Sequence, residues 1–107
     1  MKYKLTSETK NYSGIVLHRI EAVKDFSDIS CGNKGGWVEK EDNLSQEGDA
    51  WVYDDAQVSG DAQVSGDAMV SGDAQVSSGA MVFGCAQVFG DARVCGYAWL
   101  DGHMTKN

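Results

Sequence analysis

The chain has 107 residues and a formal net charge of −7, from 16 acidic and 9 basic side chains. That length holds one domain, and 42% hydrophobic with 23% charged residues is a globular composition, not a disordered one. The charge argues against direct binding to nucleic acid or an anionic membrane. No apolar run approaches the ~20 residues of a membrane span, and three cysteines with no Cys-x-x-Cys pair suggest neither a disulfide framework nor a zinc knuckle.

The first stretch, MKYKLTSETK, lacks the apolar segment of a secretory signal, which makes the cytoplasm the expected location. Residues 1–47 then read as a β cap. KYKLT and GIVLHRIEAV alternate in strand fashion around the turn-rich NYSG, a hairpin pattern. Phe26, Ile29, Val38 and Leu44 are placed to form one irregular first coil, interrupted by CGNKGG. Such a cap would cover the open end of whatever follows, where unpaired strand edges invite aggregation.

Residues 48–101 are a repeat of period six: GDAWVY, DDAQVS, GDAQVS, GDAMVS, GDAQVS, SGAMVF, GCAQVF, GDARVC, GYAWLD. Valine recurs from Val52 to Val94 at every sixth position, with Leu100 ninth, and alanine stands two residues earlier each time. A helix would smear these valines around its whole surface. A strand puts Ala56 and Val58 on one face and Gln57 and Ser59 on the other. Gly60 and Asp61 then make a corner, without help from proline, which the chain lacks. Each hexapeptide is therefore one short strand and one corner. Residues 102–107 follow as a tail.

An aliphatic residue followed four positions later by a small one, as in Val58–Ala62 and Val64–Ala68, resembles the left-handed parallel β-helix of the hexapeptide-repeat superfamily. The resemblance implies an all-β fold, a short left-handed parallel β-helix of about three triangular coils with an N-terminal β-hairpin and irregular cap. The stretch GGWVEKEDNLSQEGDAWV also resembles the head segment of small hexapeptide proteins of bacteria and their phages. The superfamily includes acyltransferases, carbonic-anhydrase-like enzymes and inert scaffolds, so fold alone does not give function.

Stacking at 18 residues per coil groups the outward side chains. Trp51, Tyr53, Met69 and Phe89 cluster on one face, and Met81, Phe83 and Trp99 on another. Apolar clusters of this kind mark interfaces, here expected between copies of the chain or with a protein partner. The third face, with Gln57, Ser59, Gln75, Ser77, Arg93 and Cys95, is polar. Asp55, Asp73 and Asp91 fall in one corner column, with no basic side chain on that corner of the repeat. Residues 47–101 carry nine acidic side chains and one basic, against seven of each in residues 1–46. This acidic ladder suits a basic partner.

The functional expectation is a non-enzymatic, acidic protein-binding module that self-associates. Its specific form is a phage or mobile-element inhibitor of a host nucleic-acid-binding or defence protein. A minimal acyltransferase and a purely structural assembly module are the alternatives. Resemblance to the acyltransferases implies trimers, an acyl-carrier cofactor bound between coils, and a histidine base. Only His18 and His103 are present, and no catalytic loop interrupts the repeats. Asp49, Asp67, Cys85 and His103 share one column, but Cys85 lies between carboxylate and histidine, the wrong order for a triad. No catalytic, cofactor or metal residue is therefore expected.

Overall fold

The computed structural model describes residues 2–12, 14–96, 99–101 and 104–106. Two long strands, β1 (Tyr3–Tyr12) and β2 (Ile15–Ala22), form an antiparallel hairpin. Gly14 takes φ 82° in its turn, where its amide donates to Asn11 Oδ1 at 3.1 Å. β3 (Lys34–Val38) and a 3-10 turn (Glu41–Asn43) follow. The repeat then supplies β4 (Trp51–Val52), β5 (Gln57–Val58), β6 (Gln63–Val64), β7 (Met69–Val70), β8 (Gln75–Val76), β9 (Met81–Phe83), β10 (Gln87–Phe89), β11 (Arg93–Val94) and β12 (Trp99–Asp101). Where the sequence reads as a tail, β13 (Met104–Lys106) pairs in parallel with β10.

These strands stack into three sheets, one per side of the coil: β1-β2-β3-β5-β8-β11, β4-β7-β10-β13 and β6-β9-β12. Within the repeat every pairing is parallel and joins residues 18 apart, as in Val52–Val70–Val88. The all-β solenoid of about three coils expected from the period is therefore the fold observed. Among the described residues, no helix is long and apolar enough to cross a membrane.

The interior is filled by the two repeating residues. Val52, Val58, Val64, Val70, Val76, Val82 and Val88 are fully buried, as are the alanines from Ala50 to Ala86. Each valine contributes about 1.5–2 kcal/mol by leaving water. The corners turn in the left-handed backbone region. Seven of them place glycine there (Gly48, Gly60, Gly66, Gly72, Gly84, Gly90 and Gly96), while Asp54 and Ser78 take φ 56° and 60° at equivalent positions. Coil-to-coil spacing adds a second reason for glycine: a Cβ on Gly66 would lie 2.9 Å from the Gly84 amide nitrogen.

The N-terminal segment does more than cover the solenoid's end. In each coil the carbonyls of the core Ala and Val residues face the preceding coil. Thus Ala74 O accepts from Gln57 N at 3.0 Å, and Val76 O from Ser59 N at 2.9 Å. The first coil has no repeat before it, so its carbonyls need other donors. β3 serves one side: Trp37 N donates to Ala56 O at 2.9 Å and Glu39 N to Val58 O at 3.1 Å. At the second side Ser45 N donates to Val64 O at 2.8 Å. The buried Asn43 amide donates there to Ala62 O at 2.9 Å and Gly60 O at 3.1 Å. The third side has no strand before β4, and Lys2 Nζ fills the gap, 2.7 Å from Ala50 O and 3.3 Å from Gly48 O. Val38 and Leu44 thus stack on Val58 and Val64 as expected for a first coil. Phe26 and Ile29 instead form a small antiparallel bridge of their own.

The far end of the hairpin bends over the polar face. The Lys10 ammonium and Arg19 guanidinium lie 4.6 and 4.5 Å from the Trp37 ring, and Gln75 Nε2 donates to Tyr12 Oη at 3.2 Å. Gly35 and Gly36 let β3 sit close beneath it: a Cβ on Gly35 would lie 2.5 Å from Val52 O and 2.7 Å from Ile20.

Two predictions follow from the cap. Asn43→Ala strips two carbonyls of their donor and leaves the Glu39 and Lys40 amides without their Oδ1 acceptor. It is expected to lower unfolding free energy by about 2–3 kcal/mol, read by urea titration with an unchanged slope. Asn43→Asp, which keeps the acceptor but loses the donor, is expected not to restore it.

Lys2 gives a pH signature. Burial pulls its pKa down from 10.5 to about 8, against a smaller opposing pull from Asp49. Below about pH 8 both folded and unfolded chains hold the proton, and the full burial cost is present. Between about 8 and 10.5 only the unfolded chain keeps it, so this site makes stability rise with pH. Burial, then Glu41 and Asp42, holds the Tyr3 phenol protonated above its ordinary range, which makes stability fall above about pH 10. Lys2→Met is expected to abolish the rise between pH 8 and 10, seen as a flat urea midpoint over that window. The same rise in the variant would assign it elsewhere.

Candidate functional site

The sheet of β4, β7 and β10 carries an open groove of about 300 Å³. The repeat supplies most of its wall by simple stacking: Tyr53, Ser71 and Phe89 from one column, Met69 and Gln87 from the next. Asp54 adds a carboxylate from a corner, and Asp28 adds another from the cap beside the Phe26–Ile29 bridge. Phe89 and Met69 are half-buried, giving the groove an apolar floor, whereas Asp28 and Asp54 are exposed.

The polar contacts are few. Tyr53 Oη lies 3.4 Å from Asp28 Oδ1 and 3.5 Å from Met69 Sδ. Asp54 Oδ2 accepts from the Gly72 amide at 3.2 Å. Among the described residues, no cationic side chain pairs with Asp28 or Asp54. Partial burial, then the Asp28 charge, pushes the Tyr53 phenol above its ordinary pKa. The phenol therefore stays protonated and can donate.

The residues expected at interfaces divide. Tyr53, Met69 and Phe89 do share one outward face, that of the groove. Trp51 does not join them. It is 1% exposed, with Phe26 at 5.3 Å and Tyr3 at 6.2 Å in edge-on contact. Its parity in the strand points it outward, and the cap then closes over it. On the other face Met81 and Phe83 are half-buried, and Trp99 is 68% exposed with its ring 6.3 Å from Phe83.

Asp55, Asp73 and Asp91 are all exposed at their corners. The expectation that nothing offsets this column is corrected at Asp55, which lies 3.6 Å from Arg19 of the hairpin. Among the described residues no cation pairs with Asp73 or Asp91, and no group of three metal-ligating side chains occurs. In the mixed column, the Asp49 amide lies 3.3 Å from Asp67 Oδ1 and Cys85 is exposed. His103 lies outside the described residues. His18 is half-buried in β2 opposite Thr9 and Val38, on a different sheet from the groove.

Asp28 and Asp54 were not among the residues expected from sequence. Asp54 left a signal, since it interrupts the glycine column Gly48, Gly60, Gly66, Gly72. Asp28 left none, because the cap has no period to place it.

Two comparisons bear on this fold and groove. A family model described as the YdcK β-solenoid repeat matches residues 62–78 and 86–102. The protein of Escherichia coli (strain K12) named "Uncharacterized acetyltransferase YdcK" is 38% identical over 61 residues, taking in 50% of this chain. The chain spans about a fifth of that relative's length, 19%. This match corrects the expectation of a non-enzymatic module, because a relative sharing the repeats carries an enzyme's name. It favours the acyltransferase alternative over the phage-inhibitor reading, which neither comparison supports. The repeats, the three stacked coils and these matches together fit a hexapeptide-repeat β-helix family.

Proposed function

We propose that the chain is an acyltransferase of the hexapeptide-repeat kind, with the groove beside Tyr53 holding the acyl acceptor. The observation that carries this reading is the 38% identity over 61 residues to a protein named an acetyltransferase. The geometry supports the acceptor's place more than the donor's. A phosphate-bearing acyl donor would meet two carboxylates and no paired cation in the groove, an unfavourable encounter. A small acceptor would meet the apolar floor of Met69 and Phe89 and the donor hydroxyl of Tyr53.

In acyl transfer from a thioester, the acceptor's nitrogen or oxygen lone pair forms the new bond to the carbonyl carbon. The carbon–sulfur bond breaks, and the departing thiolate takes up a proton. His18 is not placed to act as base in this groove, since it lies on another sheet. The exposed Trp99 and its neighbour Phe83 offer an apolar surface for self-association, in keeping with the trimers that the resemblance to hexapeptide acyltransferases implies.

The test is acetyl transfer from acetyl coenzyme A to a panel of amines and alcohols, followed by mass spectrometry. Product detection matters because Cys31, Cys85 and Cys95 are exposed and would consume a thiol reagent. Acetylated product is expected, falling about tenfold or more in Phe89→Ala while its circular dichroism stays unchanged. Absence of product across the panel, or an unaffected Phe89→Ala, would overturn the proposal.

A further inference from the structure

We infer that this groove recognises an organic ammonium group, so that the acceptor is a primary amine bearing a short apolar stem. The inference rests on the acyl-transfer reading only in calling that amine an acceptor; recognition of the ammonium stands on the groove alone.

Three features converge. First, the groove is a shallow concavity of about 300 Å³, open to solvent and large enough for a small ligand. Second, its two ionisable acids, Asp28 and Asp54, come from different parts of the chain, one from the cap and one from a coil corner. Among the described residues neither has a cation partner, unlike Glu8 and Asp55, which face Arg19, and Asp61, which pairs with Lys40 at 3.0 Å; Asp73 and Asp91 are unpaired too but do not line the groove. Third, the walls between them are aromatic and thioether: Tyr53, Phe89 and Met69. Ring faces attract a cation through their quadrupole, and a thioether adapts to an alkyl stem. Carboxylates alone would equally suit a hydrated metal ion, but rings and a thioether offer such an ion nothing. An alkylammonium is matched at both ends, by charge complementarity at its head and by burial of its stem.

Asp54 sharpens the case. Its backbone sits at φ 56° on a corner where seven equivalent positions hold glycine. Its side chain accepts from the Gly72 amide through Oδ2, which fixes the carboxylate at the groove's rim. The Tyr53 hydroxyl, kept protonated, donates to Asp28 Oδ1 at 3.4 Å. Transfer to such a ligand balances simply. The ammonium yields one proton to solvent and one to the thiolate released by the acyl thioester, as the carbon–nitrogen bond replaces the carbon–sulfur bond.

The probe is hexylammonium at neutral pH, compared with hexanol by calorimetric titration of the full chain. Hexylammonium is expected to bind about fivefold or more tighter than hexanol, with an affinity that falls as salt rises. Asp28→Asn and Asp54→Asn should each weaken it about threefold or more, while Asp55→Asn, outside the groove, should not. Asp54→Gly is expected to weaken binding while leaving the melting temperature level or higher, which separates lost recognition from lost folding. Equal binding of hexanol, no binding of hexylammonium, or indifference to both groove aspartates would overturn the inference. Hexylammonium that binds but is never acetylated would sink the acceptor reading and leave recognition standing. Acetyl transfer without ammonium binding would do the reverse.

Discussion

The backward-facing carbonyl is the constraint on which the molecule depends. A parallel solenoid satisfies its backbone only by the next coil, so its first coil always presents acceptors with no strand to fill them. Here that surface is met by three different means on three sides: a full strand, a single bridge with an asparagine amide, and one lysine ammonium. The cap is irregular because it must end in three different places.

Lys2 shows how far this goes. An ammonium group is expensive to bury, and burial here lowers its pKa to about 8. It is tolerated because both protonation states still donate to Ala50 O and Gly48 O. The Phe26 ring 5.0 Å from Nζ faces it from another direction, and Asp49 supplies compensating charge. Tyr3, the next residue, places its hydroxyl within hydrogen-bonding distance of the Glu41 and Leu44 carbonyls, and Gln46 Oε1 accepts from the amides of Lys2 and Tyr3. The chain's beginning is thereby tied to the segment just before the repeat.

What the sequence made legible divides along the same line. From Ala50 to Val94 the period of six predicted every buried residue except Trp51, because identical spacing gives a like environment. Within residues 1–47 the hairpin and the stacking of Val38 and Leu44 were readable from alternation and spacing. Lys2 and Asn43 were not, since a lysine or asparagine that replaces a strand's donors looks like any other surface residue. Trp51 was misplaced for the same reason: its strand parity points outward, and only long-range contacts with Tyr3 and Phe26 reveal that it is covered. Arg19 reaches Asp55 across 36 positions of sequence, and no local pattern announces such a pair.

The groove forms at this seam between repetitive and irregular text. The repeat by itself would build a flat ladder on the β4–β7–β10 face, with Tyr53, Met69 and Phe89 side by side. A concavity needs something to rise beside the ladder. The cap provides it because this side alone has neither a strand nor a bridge ahead of its first repeat strand, β4. The chain must therefore cross its open end with the Phe26–Ile29 turn, which covers Trp51 and leaves Asp28 standing at the rim. The gap that Lys2 fills from inside and the wall that Asp28 raises outside answer one missing strand. A repeat flanked by a complete extra coil would have no reason to fold that turn there, and its outer face would offer a ligand a surface with no acid from the cap and little depth.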